Sequence, residues 1–308
     1  SYTDEEKLQI AKRHLLPKQL KRHGLSSRQL KMTDDAIREV ISAYTRESGV
    51  RILERELASI CRKSAMKLVE GGVKSVHITG DDLQEYLGVR KYYPERQALA
   101  TRVGVVNGLA WTSVGGELLE VEVNVVPGSG KIELTGNLGD VMKESAHAAI
   151  SYIRSRCRHL GIEEDFYKTR DIHIHFPEGA VPKDGPSAGV TITTALVSAL
   201  TDTPVKPAIA MTGEVTLRGR VLPIGGLREK TMAALRSGIK TVIIPADNGK
   251  DLEEIDQTVR AALTFVPAEQ VDEVLAAALE WRETRPESEP SSQPERPRRS
   301  GGTLGLQQ

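Results

Sequence analysis

Residues 171–189 read DIHIHFPEGAVPKDGPSAG, and this stretch decides how the rest of the chain is read. Ile172, Ile174 and Phe176 alternate with His173 and His175, the period-two pattern of a half-buried strand. After the turn-rich Pro177–Gly185 segment, Val190 to Leu200 is almost wholly apolar and long enough for a buried helix. Pro186 suits the first turn of that helix, and the flanking glycines allow other backbone to approach closely. Ser187 therefore stands where a helix begins, beside free N–H groups and a positive dipole end that would favour an oxyanion. A serine there is also an ordinary cap, and the position alone leaves both readings open.

Outward from this stretch the chain alternates strands and helices. Upstream, Val103 to Thr112, Glu117 to Val126 and Lys131 to Leu134 are strand-like runs separated by glycine pairs, and Gly139 to His159 is an amphipathic helix with Val141, Met142, Ala149, Tyr152 and Ile153 on its apolar side. Downstream come an apolar strand, Ala208 to Thr212, and a hairpin turning at Arg218-Gly219. A helix from Gly226 to Gly238, a strand from Thr241 to Ile244, a strand from Leu263 to Val266 and a helix from Ala268 to Leu279 follow. Residues 1–93 read as a helical bundle: Thr33 caps one helix, a longer one runs from about Ser48 to Glu70 with Val50, Leu53, Leu57, Ile60, Cys61 and Leu68 as its stripe, and Gly71-Gly72 stops it. Tyr92-Tyr93-Pro94-Glu95 marks the boundary. The expectation is an α+β protein with a small N-terminal helical unit (1–93), a mixed α/β domain (94–282) and a disordered Pro-, Ser- and charge-rich tail (283–308).

Composition adds limits. The 308 residues carry 42 basic and 42 acidic side chains, so no whole-protein field argues for nucleic acid or membrane. Residues 1–93 hold 18 Lys+Arg against 13 Asp+Glu, net +5, and the remainder is net −5, a mild asymmetry consistent with two units. No apolar run approaches the ~20 residues of a membrane span and no secretory pattern opens the chain. Two cysteines, Cys61 and Cys157, both in helical patterns, point to a reducing, cytoplasmic setting. His173 and His175 have no acidic or cysteine partner at ligand spacing, so no metal site is expected.

The serine needs a base, and no histidine–acid pair stands at an obvious spacing. Leu227, Lys230, Thr231, Ala234 and Leu235 fall on one helical face, which places Lys230 on an apolar stripe. Burial lowers an amine's pKa, and a neutral amine can take a proton from a serine hydroxyl. Alternatively Lys230 snorkels over apolar neighbours with its head in water.

Pro182–Gly189, Thr212–Gly219 (TGEVTLRG), Pro223–Lys230 (PIGGLREK) and Asp171–His175 together closely resemble the proteolytic domain of the Lon family of ATP-dependent AAA+ proteases. The N-terminal helices, with Gly49-Val50-Arg51 and Leu53-Glu54-Arg55, resemble the small α-helical subdomain of the family's ATPase module. The resemblance implies that Ser187 is the nucleophile and Lys230 the general base of a Ser-Lys endopeptidase, with no metal in the peptidase step. It further implies that Thr212 positions the lysine, that Asp184, Glu122 and His175 lie near the site, and that Arg51 senses ATP. Glu122 and His175 are equally readable as structural or interface residues, Asp184 as a turn former, and Trp111 as packing or as part of a substrate-facing strand. It also implies ATP and Mg in the full-length protein, a homohexameric ring, unfolded-protein substrates and a role in protein quality control. No G-x-x-x-x-G-K-[ST] phosphate loop occurs in the chain, so the expectation for these residues is ATP-independent peptidase activity. The competing expectation is a catalytically latent assembly or binding module whose basic helical unit docks a partner or DNA.

Overall fold

The computed structural model of the protein describes residues 2–93, 102–112 and 115–281. The expected tail and the Pro94-Glu95 part of the boundary lie outside the described residues. The fold is α+β, with one helical unit and one unit built on a mixed sheet.

The helical unit holds α1 (Asp4–Ile10), α2 (Leu16–Arg22), α3 (Asp34–Glu39), α4 (Arg51–Glu70) and α5 (Leu83–Leu87), with short strands β1 (Leu30–Met32) and β2 (Val76–Ile78) paired in parallel. Thr33 accepts the N–H of Ala36 at 3.1 Å, the cap expected for α3. Leu53, Leu57, Ile60 and Cys61 of α4 are buried against Leu8, Ile37, Tyr44 and Leu83. The helix starts at Arg51 rather than Ser48, because the Glu47 carboxylate accepts the N–H groups of Ile52 (2.9 Å) and Leu53 (2.7 Å) and so satisfies its first turn.

The second unit carries β3 (Val105–Thr112), β4 (Gly115–Pro127), β5 (Ile132–Thr135), α6 (Asp140–Leu160), α7 (Phe166–Thr169), β6 (Arg170–His175), α8 (Gly189–Thr201), β7 (Ile209–Met211), the small hairpin β8 (Glu214–Val215) and β9 (Val221–Leu222), α9 (Leu227–Arg236), β10 (Thr241–Pro245), α10 (Gln257–Ala262), β11 (Thr264–Ala268) and α11 (Val271–Ala278). Seven strands form one sheet in the order β11-β10-β7-β3-β4-β6-β5. Its β3–β4 and β4–β6 pairs are antiparallel and the rest parallel.

Period-two alternation sends each strand's side chains to opposite faces. Val106, Met211 and Ile243 join Ile153, Leu196 and Leu275 in the core under α6, α8 and α11. Leu109, Ala210, Val242 and Ile244 join Leu227, Ala234 and Val259 in a second core under α9 and α10. The nucleophile candidate and the lysine thus come from helices on opposite faces of one sheet. Val141, expected on the apolar side of α6, is exposed in the first turn of the helix, next to the buried Met142. Among the described residues, no helix is long and apolar enough to cross a membrane.

Candidate active site

Ser187 lies in a 3-10 turn, Pro186–Ala188, that leads into α8. Gly185 enters this turn at φ +127°, a conformation that excludes ordinary side chains. The turn is bonded to the end of β7: Gly213 N–H donates to the Ser187 carbonyl at 2.9 Å, and Val190 N–H donates to the Gly213 carbonyl at 3.0 Å. A Cβ on Gly189 would stand 2.8 Å from Val215 N, so the glycine after Ser187-Ala188 is required by this close approach. Ser187 is half-buried, and its hydroxyl is not the cap of α8; it makes no side-chain hydrogen bond among the described residues. The capping role that a serine at a helix start invites is not the one it takes.

Thr212, 1% exposed, is the residue between β7 and Gly213, and its N–H is held by the Ile243 carbonyl of β10 at 3.1 Å. Lys230, only 3% exposed, projects from the first turn of α9 and donates from Nζ to Thr212 Oγ1 at 3.0 Å. The snorkelling alternative is overturned, because α9 presses this face onto the sheet. Burial alone lowers the Lys230 amine, to about 8 from 10.5, with no charged neighbour holding it up. An amine titrating there is substantially neutral near pH 8 and can accept a proton. The approach of α9 depends on Gly116 of β4, where a Cβ would lie 1.9 Å from the Glu229 carbonyl oxygen and 2.9 Å from Lys230 N. Sequence reading missed Gly116, since a glycine needed for a tertiary contact looks like any other Gly-Gly turn.

Asp184 is exposed and three residues before Ser187. Its Oδ1 accepts the N–H of Gly185 at 2.9 Å, the turn bond expected of it, and also that of Met142 in the first turn of α6 at 3.0 Å. Gly139 makes room for that carboxylate. Glu122 and His175 stand directly opposite one another on β4 and β6. His175 Nδ1 lies 2.7 Å from Thr135 Oγ1, which also meets His173 Nε2 at 2.8 Å. Glu122 lies beside Glu120, whose carboxyl is pushed up first by burial, against the opposing Arg102, and then by Glu122. Among the described residues, neither Glu122 nor His175 is hydrogen-bonded to Lys230, Thr212 or Ser187. Arg51 is exposed at the first residue of α4, in the helical unit. No group of three His, Cys, Asp or Glu able to hold a metal is found among the described residues.

A groove of about 370 Å³ lined by Ala110, Trp111, Leu118, Met142, Val181 and Lys183 among others reaches this site at Asp184, while Ser187, Thr212 and Lys230 do not line it. Trp111 is 61% exposed at the end of β3, with Gly226 packed beneath its ring, so it is a groove wall rather than core packing.

Residues 77–281 match the family described as the Lon protease (S16) C-terminal proteolytic domain, and residues 21–76 match the Lon protease AAA+ ATPase lid domain. The chain is 54% identical over 292 residues to the Lon protease of Geobacter metallireducens, covering 95% of this chain and 35% of that protein. It is 56% identical over 278 residues to Lon protease 1 of Bacillus subtilis (90% and 36%) and 55% over 280 residues to the Lon protease of Escherichia coli K12 (91% and 36%). It spans about a third of the length of these curated relatives. With the proteolytic-domain match covering most of the described residues, the chain belongs to the Lon protease family.

Proposed function

We propose that this chain is a serine endopeptidase that works through a Ser187–Lys230 dyad. The observation that carries the reading is the buried Lys230 amine, lowered to about 8 and held by Thr212, which adjoins the glycine bonded to the Ser187 turn. In the reaction, the Ser187 hydroxyl proton passes to Lys230 Nζ as Oγ bonds to the scissile carbonyl carbon. The tetrahedral oxyanion collapses, the C–N bond breaks, and Lys230 returns the proton to the leaving amine. Water then attacks the acyl ester with Lys230 again as base, releasing the acid and restoring Ser187. Thr212 holds the amine in line. Asp184 shapes the loop entering the nucleophile turn. An extended peptide lies in the Trp111 groove along the strand edge.

For the full-length protein the same reading includes ATP with Mg, Arg51 as a nucleotide-sensing residue, a homohexameric ring, a cytoplasmic location and degradation of misfolded chains. The phosphate loop is not among the 308 residues, so cleavage by this chain is ATP-independent and restricted to peptides or unstructured proteins. The test is cleavage of a fluorescently labelled unfolded protein without ATP, beside Ser187→Ala and Lys230→Ala. Loss of cleavage in both variants supports the dyad; either variant cutting as fast as the parent sinks it.

The Ser187 hydroxyl, which makes no side-chain hydrogen bond among the described residues, favours a second reading, a latent module in which the site is not engaged. A parent that assembles into rings yet cleaves nothing supports latency. Binding of the basic helical unit to DNA would show as affinity falling steeply with salt.

A further inference from the structure

The helix that carries Lys230 packs on the sheet and against α10, and it also borders the helical unit. One face is pressed on the sheet, and another turns toward the helical unit across a cleft of about 530 Å³ lined by Lys7, Thr45 and Arg46 on one side and Leu118, Ala233 and Arg236 on the other. The contacts across this boundary gather on either side of Lys230. Arg46, in the segment between α3 and α4, pairs with Glu117 of β4 at 2.9 Å. Glu117 follows Gly116, the residue on which the Glu229–Lys230 peptide rests. Arg236, the last residue of α9, donates to the Gly116 carbonyl at 2.9 Å and closes this seat from the other end. On the N-terminal side of Lys230, Arg228 pairs with Glu6 of α1 at 3.6 Å.

The Arg46–Glu117 pair is partly exposed, at 47% and 22%, and by itself such a pair contributes little to stability. Its position matters more than its strength. A shift of β4 at Glu117 moves Gly116, and Gly116 has little slack against α9: a Cβ there would stand 1.9 Å from the Glu229 carbonyl oxygen. Close-packed contacts of this kind pass a displacement on rather than absorb it.

We propose that the N-terminal helical unit positions the general base: Arg46, acting through Glu117 and Gly116, and Glu6, acting through Arg228, fix where α9 lies on the sheet and so where the Lys230 amine meets Thr212. Arg46, Glu117, Glu6 and Arg228 are positioning residues, and the helical unit reaches the proteolytic site by way of the lysine rather than the serine. The inference rests on Lys230 being the base.

The test uses the whole chain and three variants, Arg46→Glu, Glu117→Arg and the charge swap carrying both. Each single reversal lowers kcat on the unfolded substrate about fivefold, the equivalent of roughly 1 kcal/mol, with KM nearly unchanged. It also speeds amide hydrogen exchange across residues 227–236, and the double swap restores both. Single variants that keep the parent's kcat and exchange rates, or a double variant worse than either single, would overturn the proposal. Arg46→Gln stands in where Arg46→Glu fails to fold. Should the parent cleave nothing, the dyad reading fails by that result, while the exchange rates across α9 still decide whether the helical unit holds it.

Discussion

The carboxylate of Asp184 accepts the backbone N–H of Met142 at 3.0 Å, so the residue just upstream of the serine turn caps a helix 42 positions earlier in the chain. Removing this acceptor leaves a first-turn N–H of α6 unpaired. Asp184→Ala is expected to lower stability by about 1 kcal/mol, and Asp184→Asn, which keeps an acceptor oxygen, by a few tenths. Urea unfolding checks the pair; equal midpoints for the parent and the alanine variant would remove the cap from the account.

Peptidase activity is expected to rise with pH through about 8, because the proposed proton acceptor is the neutral Lys230 amine. The sign for stability is the same. The folded pKa lies below 10.5, so between about 8 and 10.5 the unfolded chain binds more protons and stability climbs with pH. Below about 8 both states hold the proton and the full burial cost remains. Lys230→Met is expected to abolish cleavage yet stabilise the fold at pH 7 by roughly 2 kcal/mol, after allowing for the lost bond to Thr212. Unfolding curves at pH 7 and pH 10 test this: the gain in the methionine variant must shrink at the higher pH.

Thr212→Val keeps the shape of the strand end and removes the acceptor for Lys230. A drop in kcat of about tenfold to a hundredfold is expected with KM little changed, since a misplaced base costs roughly 1–3 kcal/mol. Thr212→Ser keeps the hydroxyl and should recover most of the rate. A valine variant with parental kcat would make the threonine an ordinary strand-end residue.

Gly116→Ala drives a methyl carbon into the Glu229 carbonyl. Neither β4 nor α9 can yield without disturbing the sheet, so a loss of about 1–3 kcal/mol and a fall in kcat are expected together. Thermal unfolding beside the cleavage assay decides it. Alanine here with both properties intact would show that α9 does not rest on this residue.

Much of this was legible in the order of residues, for reasons that also explain the gaps. Lys230 could be placed on a buried face because helical periodicity is local, whereas its bond to Thr212 joins two segments that only the fold brings together, and it was reached through a family resemblance. Asp184 showed its turn bond to Gly185 but not its bond to Met142, which depends on where α6 begins. The pairing of β1 with β2 is not legible in the sequence, because a three-residue strand carries no mark of a partner that lies far along the chain. α4 starts three residues later than its sequence pattern suggests, because the capping group is the upstream Glu47 carboxylate and not Ser48. α10 and the 3-10 turns of Ala246–Glu254 are short and polar, and neither stood out from loop.

The two helices that carry the proposed dyad lie on opposite faces of the seven-stranded sheet, one in each of its two cores. A chain emerging from the ribosome completes the serine's helix well before the lysine's. In the proposed dyad Ser187 has no proton acceptor until α9 has closed over the far side, so an unfinished copy is expected to be inactive toward itself and its neighbours. The division of the pair between two layers makes completion of folding the safety catch.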